Sequence, residues 1–487
     1  MVKACVSVCK TFPKSECNPP RCSYINGNKR KYCRLSHKYK MNKPKCNVTR
    51  RLKKSEVGTY YKNRISEAIK SSKLFLNKIC PNTGMCLAFG TSTDKLTKYF
   101  NGFTKFDYVV SPIKRLGVAS ANGFIHEINY DKNGYKASSI LKSAKTAKSD
   151  NLVYEYLVGI KYINRKLKLF PCFLETYGLY YYDTPASWTM FKDTAQLNAA
   201  DLQHLVLQNN TSYVKACAES KYASCLIQHI KKAPTIYELC MNDDEFITNE
   251  LVFTLFIVYQ ALSSMSSTFT HYDLHYNNIL LYKPKPLDDH YIEYHYHNND
   301  GTSHSFYSMY IPKIIDYGRS FFDNGNVNSH KIYEKICNTR ECDPKCGNDF
   351  GLGWLDTVPY LTISSSKKNE SHDLRLLSDL KIKISAKKIP GNAFKELQNL
   401  FKHLVYGVGL TGTNTRFGST ENLTKTTFKK GTYTPIYNVT GAFTALKYIV
   451  TDPDVLTENR DTYSTLTKLG DLHIYNDGRP MKYDKIV

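Results

Sequence analysis

The chain has 487 residues, 42 % of them hydrophobic, which excludes general disorder and leaves room for one large two-lobed domain with an appendage or for two to three ordinary domains. The formal charge of +24 favours anionic partners (nucleic acid, acidic protein or a membrane surface) unless it only solvates a lysine-rich face. No apolar run reaches the roughly 18–20 residues of a membrane span, and the N-terminal MVKACVSVCK lacks the apolar stretch of a secretory signal, so a soluble, intracellular protein is expected.

The charge is concentrated at the start. Residues 1–75 carry twenty Lys and Arg against three Glu, together with Cys5, Cys9, Cys17, Cys22, Cys33 and Cys46. This segment is expected to be a basic, Cys-rich extension that binds an anionic partner such as nucleic acid or acidic protein. Without a secretory signal, the chain's 15 cysteines are expected to be reduced or metal-bound rather than disulfide-bonded. Cys17, Cys22 and Cys33 with Cys5, Cys9 or His37 offer a tetrahedral Zn²⁺ set, and Cys337, Cys342 and Cys346 with His330 offer a second. Free thiols or an oxidised cross-link are the alternatives in both.

Strands are expected next, over residues 76–230. Phe106 to Val110 is one candidate, and Gly123 to Tyr130 alternates as a half-buried strand does. Asp131-Lys132-Asn133-Gly134 is a hairpin turn, because Asn-Gly accepts positive φ at both central positions, and Tyr135 to Ser143 is the returning strand. Asp150 is placed to cap a helix through Tyr154, Leu157, Val158 and Tyr162. Short strands fit Glu175 to Tyr182 and Ala223 to Ile230.

Residues 231–487 read as mainly helical. Asp244 to Ser264 is apolar nearly all round, as a central buried helix is. Helices follow near 371–382, 391–406 and 439–450, with a Thr/Gly-rich loop over Gly407 to Thr434 and a C-terminal tail.

Two segments carry the chemistry. One is His271-Tyr272-Asp273-Leu274-His275-Tyr276-Asn277-Asn278, running into the apolar Ile279-Leu280-Leu281; the other is Ile314-Ile315-Asp316-Tyr317-Gly318. An Asp and an Asn at fixed offset before one strand, and an Asp-aromatic-Gly after another, supply the oxygen ligands that a hard cation takes and a carboxylate to aim a hydroxyl. In this order the segments resemble the protein-kinase superfamily, whose catalytic loop reads H-R-D-L-x-x-x-N and whose metal motif reads D-F-G.

That resemblance implies an α+β, two-lobed protein-kinase-like fold with a basic, Cys-rich N-terminal extension. It implies ATP as cofactor with Mg²⁺ or Mn²⁺, Asp273 orienting the acceptor hydroxyl, and Asn278 and Asp316 as metal ligands. Ser139-Ile140-Leu141-Lys142 resembles the strand that bears the phosphate-contacting lysine. Glu155, a carboxylate among apolar residues on the next helix, is its expected ion-pair partner. Gly117 and Gly123 bracket a degenerate glycine-rich loop, and Asp373 is expected either to hold the catalytic-loop backbone or to cap its helix.

The sequence departs from the family at Tyr272 (for Arg), His275 (for Lys) and Tyr317 (for Phe), and no A-P-E motif is present. Arg30-Lys31-Tyr32-Cys33-Arg34-Leu35-Ser36, Asp150-Asn151-Leu152 to Gly159, and Phe170-Pro171-Cys172-Phe173 resemble kinases of large nucleocytoplasmic DNA viruses, similar to the poxvirus virion-associated Ser/Thr kinases. This implies Ser/Thr protein substrates in virions or their assembly, in host cytoplasm or the particle. D-L-H-x-x-N also resembles aminoglycoside- and choline-type small-molecule kinases. A catalytically weak kinase-fold scaffold is the third reading.

Overall fold

The structure, a computed structural model, describes residues 22–27, 30–35, 76, 86–117, 123–145, 152–208, 222–284, 290–337, 365–406 and 435–484. It divides into two units, Met1–Leu74 and Phe75–Val487. In the first, strands β1 (Cys22–Gly27) and β2 (Arg30–Leu35) form an antiparallel pair in register from Cys22 opposite Leu35 to Gly27 opposite Arg30. The thiols and imidazoles of the two proposed Zn²⁺ sets otherwise lie outside the described side chains, apart from His330.

The second unit is a mixed α+β assembly. Strands β3 (Val109–Leu116), β4 (Gly123–Lys132), β5 (Tyr135–Ala144), β6 (Thr176–Tyr182), β7 (Gln196–Leu197), β8 (Leu205–Leu207) and β9 (Ala223–Gln228) form one antiparallel sheet in the order β7-β3-β4-β5-β9-β6-β8. The β4–β5 hairpin turns where the Asn-Gly pair predicts, with φ of 57° at Asn133 and 83° at Gly134. A Cβ at Gly134 would meet no atom within 4 Å, so Gly134→Ala tests backbone strain alone. It should cost about 1 kcal/mol of stability, read as a lower midpoint in chemical unfolding. The strand expected from Phe106 begins only at Val109, because Phe106 and Tyr108 hold positive φ (56° and 67°) and turn the chain instead.

Alternation along the strands separates two cores. Tyr180, Tyr182 and Leu226 face one with Ile113, Ile128 and Leu141; Leu179, Cys225 and Ile227 face the other. Onto the second face packs α2 (Leu152–Val158), after α1 (Thr93–Tyr99) in the chain and continued by a π turn over Gly159–Ile163. Asp150, its expected cap, lies outside the described residues.

After α3 (Pro185–Asp193), the chain becomes mainly helical through α4 (Ile236–Asn242), α5 (Asp244–Asn249) and α6 (Leu251–Met265). Thirteen of the fifteen residues of α6 are buried; at roughly 1.5–3 kcal/mol for each large apolar side chain, it anchors the second core. The single helix expected over 244–264 breaks at Glu250. Its carboxylate accepts from Met309 N–H (2.7 Å), Ser308 O–H (2.6 Å) and the Tyr463 hydroxyl, a set that pins this residue outside helical geometry. Further helices are α7 (Ser329–Cys337), α8 (Arg375–Ile384), α9 (Asn392–His403), α10 (Val439–Val450) and α11 (Pro453–Tyr463).

The expected tail is structured. Strands β12 (His290–His297) and β13 (Ser303–Ser308) combine with β16 (Thr467–Tyr475) and β17 (Lys482–Asp484) in a second sheet ordered β13-β12-β16-β17, in which β12 and β16 are parallel. Ile292, Tyr294 and Tyr296 of β12 and Leu472 and Ile474 of β16 point into the core. No helix among the described residues is long and apolar enough to cross a membrane. Cys86 is disulfide-bonded, against the expectation of reduced thiols. Cys172 and Cys240 are free thiols shielded in the core, where Cys225 is buried too.

Candidate active site

Two short antiparallel ladders bring the chemistry-bearing loops together. Strand β10 (Phe269–Thr270) pairs with β15 (Phe321–Phe322), and β11 (Ile279–Tyr282) pairs with β14 (Ile311–Ile314). The loops 271–278 and 315–320 therefore leave the same two ladders side by side. Three bonds join them: Ile315 N–H to Asn278 O (3.0 Å), the His271 ring to Ile315 O (2.9 Å) and Ser320 O–H to His271 O (3.2 Å).

His271 is a structural member of this junction. Its Nδ1 accepts from Asp273 N–H (3.3 Å), so its Nε2 carries the proton given to Ile315 O. Burial pushes its pKa down to about 4, and the ring stays neutral as both bonds require. Tyr272 and Asp316 hold left-handed φ of 64° and 69°. Strain of this kind in non-glycine residues persists only where surroundings hold it, and it concentrates at functional sites. At Tyr272 the hold is visible. Asp373, just before α8, accepts the His271 and Tyr272 backbone N–H groups on its two oxygens (2.7 and 2.9 Å). Asp373 thus binds the loop backbone, as its placement after the central segment suggests.

Asn278 donates its side-chain N–H to Asp273 O at 2.9 Å, which leaves the amide oxygen as an acceptor. Asp273 itself lies between two guanidinium groups and an imidazole: Arg375 Nη1 is 2.9 Å from Oδ1, Arg319 Nη1 is 3.7 Å from Oδ2, and His275 Nε2 is 3.9 Å from Oδ1. Neither arginine is marked by a motif. Arg375 was within reach of sequence reasoning only as the first residue of the helix that Asp373 precedes, and Arg319 as the residue after the Asp-Tyr-Gly turn.

Lys142 lies on β5, the middle strand of the seven-stranded sheet, opposite Ile125 and Cys225. Its ammonium reaches Glu155 of α2 at 2.8 Å and Asp316 at 3.0 Å. Glu155 is 2 % exposed, where an uncompensated carboxylate would be costly. The Lys142 charge holds the Asp316 carboxyl below the usual carboxylate range, yet that side chain keeps an edge open to solvent. An ionised, accessible carboxylate and the amide oxygen of Asn278 are a donor set suited to a hard divalent cation.

Gly117, at φ 62°, follows β3, and Gly123 opens β4. A Cβ on Gly123 would lie 2.4 Å from Ser143 O, so this position has no room for a side chain. The loop between them, 118–122, lies outside the described residues. Tyr272 is fully buried; its ring packs on Phe321 and its hydroxyl donates to Lys367 O at 2.8 Å. No protein-family model matches the chain, and no curated protein matches its sequence.

Proposed function

We propose that this chain is an ATP- and Mg²⁺-dependent phosphotransferase with a two-lobed, protein-kinase-like fold, acting on Ser or Thr of protein substrates. The observation that carries the reading is the Glu155–Lys142–Asp316 relay. It links residues distant in sequence at ion-pair distance, beside a loop that presents Asp273 and Asn278. The seven-stranded sheet would be the nucleotide-covering lobe and the helical part the acceptor-binding lobe.

In this reading Glu155 fixes the direction of the Lys142 ammonium, which meets phosphate oxygens. Asp273 accepts a hydrogen bond from the acceptor hydroxyl and aligns it, while Arg319 and Arg375 hold that carboxylate in place. Asn278 and Asp316 would hold Mg²⁺, which neutralises charge on the phosphates. Phosphoryl transfer needs positioning and charge compensation more than covalent chemistry from the protein, and these residues supply both. The resemblance to viral kinases makes virion or assembly proteins, in host cytoplasm or the particle, the proposed acceptors.

Incubation with γ-labelled ATP tests the proposal across acceptors: casein-like proteins, small alcohols and buffer alone. Label in protein supports it, label in alcohols moves the acceptor class to small molecules, and no transfer in any arm favours a scaffold. Glu155→Gln should lower kcat/KM for ATP by about ten-fold, the worth of one charge-assisted hydrogen bond, in steady-state assays at varied ATP.

A further inference from the structure

Away from the catalytic loops, the outer face of the second sheet carries a row of donor side chains that the proposed phosphotransfer does not use. Alternation puts Glu293, His295 and His297 of β12 on the face opposite the buried Ile292, Tyr294 and Tyr296. The parallel register with β16 sets Glu293 beside Asp471, His295 beside His473 and His297 beside Tyr475. The His295 and His473 rings stack with centroids 4.5 Å apart, and His297 lies 5.4 Å from His473 in a similar plane.

We propose that His295, Asp471 and His473 form a binding site for a borderline divalent cation of the Zn²⁺ class, which clamps β16 to β12. One ligand atom from each of the three lies within 4.8 Å of the other two, and His295 Nε2 is 2.7 Å from Asp471 Oδ1. Two ligands in a tetrahedral Zn²⁺ shell with bonds near 2.0–2.1 Å are roughly 3.3 Å apart, so small rotations of these side chains suffice. His473 Nδ1 is 3.1 Å from His297 Nε2. With the proton on His473 Nδ1, His297 accepts it and fixes the ring, and His473 Nε2 is the ligand. A hydrogen bond to the non-ligating nitrogen is what metal-bound imidazoles ordinarily have.

Two imidazoles and one carboxylate select a Zn²⁺-type ion over Mg²⁺, which takes oxygen ligands. The site is therefore distinct in chemistry from the Asn278–Asp316 pair, and distinct in ligands from the cysteine clusters. Lys468 already marks the place as cation-binding, with its ammonium 2.5 Å from Glu293 and 2.6 Å from Asp471. On metal binding, Lys468 keeps Glu293 and yields Asp471 to the ion. The fourth metal position is left to water. The clamp ties together strands that the chain reaches far apart, so the ion acts on stability rather than on phosphate transfer.

The test uses the full chain, stripped with a chelator, reloaded with Zn²⁺ and dialysed. Wild-type protein should retain one more equivalent of Zn²⁺ than the His295→Ala/His473→Ala double variant. In Co²⁺-loaded protein, the difference spectrum should show tetrahedral ligand-field bands with no thiolate charge-transfer band, which separates this site from any cysteine-bound metal. Zn²⁺ should raise Tm in wild type more than in the variant. Asp471→Asn, nearly isosteric, carries the same comparison if the double variant does not fold. Equal Zn²⁺ content and identical Co²⁺ spectra in wild type and Asp471→Asn would overturn the proposal and leave the row a polar ladder held by Lys468.

Discussion

Asp316→Ala should sharply weaken Mg²⁺-dependent nucleotide binding while leaving the protein folded. The side chain is reached by Lys142 at 3.0 Å and keeps a solvent-facing edge, so on the proposed reading its loss removes a cation ligand without opening a cavity in the core. The strained φ of 69° at this position argues the same way: the backbone is held in an unfavourable region to aim this carboxylate, and Ala gains nothing there. A fall in affinity for a non-hydrolysable ATP analogue on the order of 10²-fold is expected in titration calorimetry with Mg²⁺ present, comparable to losing a positioned catalytic group. Unchanged affinity in Asp316→Ala would remove Asp316 from the nucleotide site.

The second large effect is expected at a residue that touches no substrate. Asp373→Ala strips the acceptors from two buried N–H groups, those of His271 and Tyr272. Each unsatisfied donor costs about 1–3 kcal/mol, and the left-handed Tyr272 loses what holds it. Displacement of Asp273 by about 1 Å should then reduce turnover on the order of 10²-fold, together with a lower Tm. Asp373→Asn adds a pH signature. Burial, opposed by the two N–H donors, raises the Asp373 carboxyl to about 7 from 3.8. A raised pKa means the folded state holds the proton more tightly, so this contribution is full at low pH and is lost as pH rises through that window. The stability deficit of Asp373→Asn should shrink between pH 4 and pH 7 in parallel unfolding titrations. A deficit that grows with pH would contradict the assignment.

What the sequence made legible follows the range of the interactions. The hairpin at Asn133-Gly134 was readable because positive φ is a property of two adjacent residues. The pairing of Lys142 with Glu155 was readable because one strand and the next helix suffice to argue it. The loop around Asp273 and the turn at Asp316 were readable as spacings, although only the β10–β15 and β11–β14 ladders bring them together.

The second sheet is only half legible. The segment Ile292 to His297 alternates strictly between apolar and polar residues, which marks a half-buried strand but not its partner. Its parallel partner β16 lies far along the chain, and no local pattern names that pairing. Arg375 has no local signature for the same reason, since its salt bridge with Asp273 depends on where α8 begins in space. The break at Glu250 was hidden because its cause lies in Ser308, Met309 and Tyr463, all distant in sequence.

The measurement that tests the central claim most directly is a single-turnover assay of γ-phosphate transfer from ATP, with Asp273→Asn beside the wild-type protein. The substitution keeps the size of the side chain and removes the charge that pairs with Arg375 and that, on the proposed reading, aligns the acceptor. The account predicts Mg²⁺-dependent transfer to protein Ser or Thr by wild type, and a rate lower on the order of 10²-fold or more in Asp273→Asn with nucleotide binding retained. Equal transfer rates in the two proteins, or no transfer by wild type to any acceptor while the fold is intact, would contradict it.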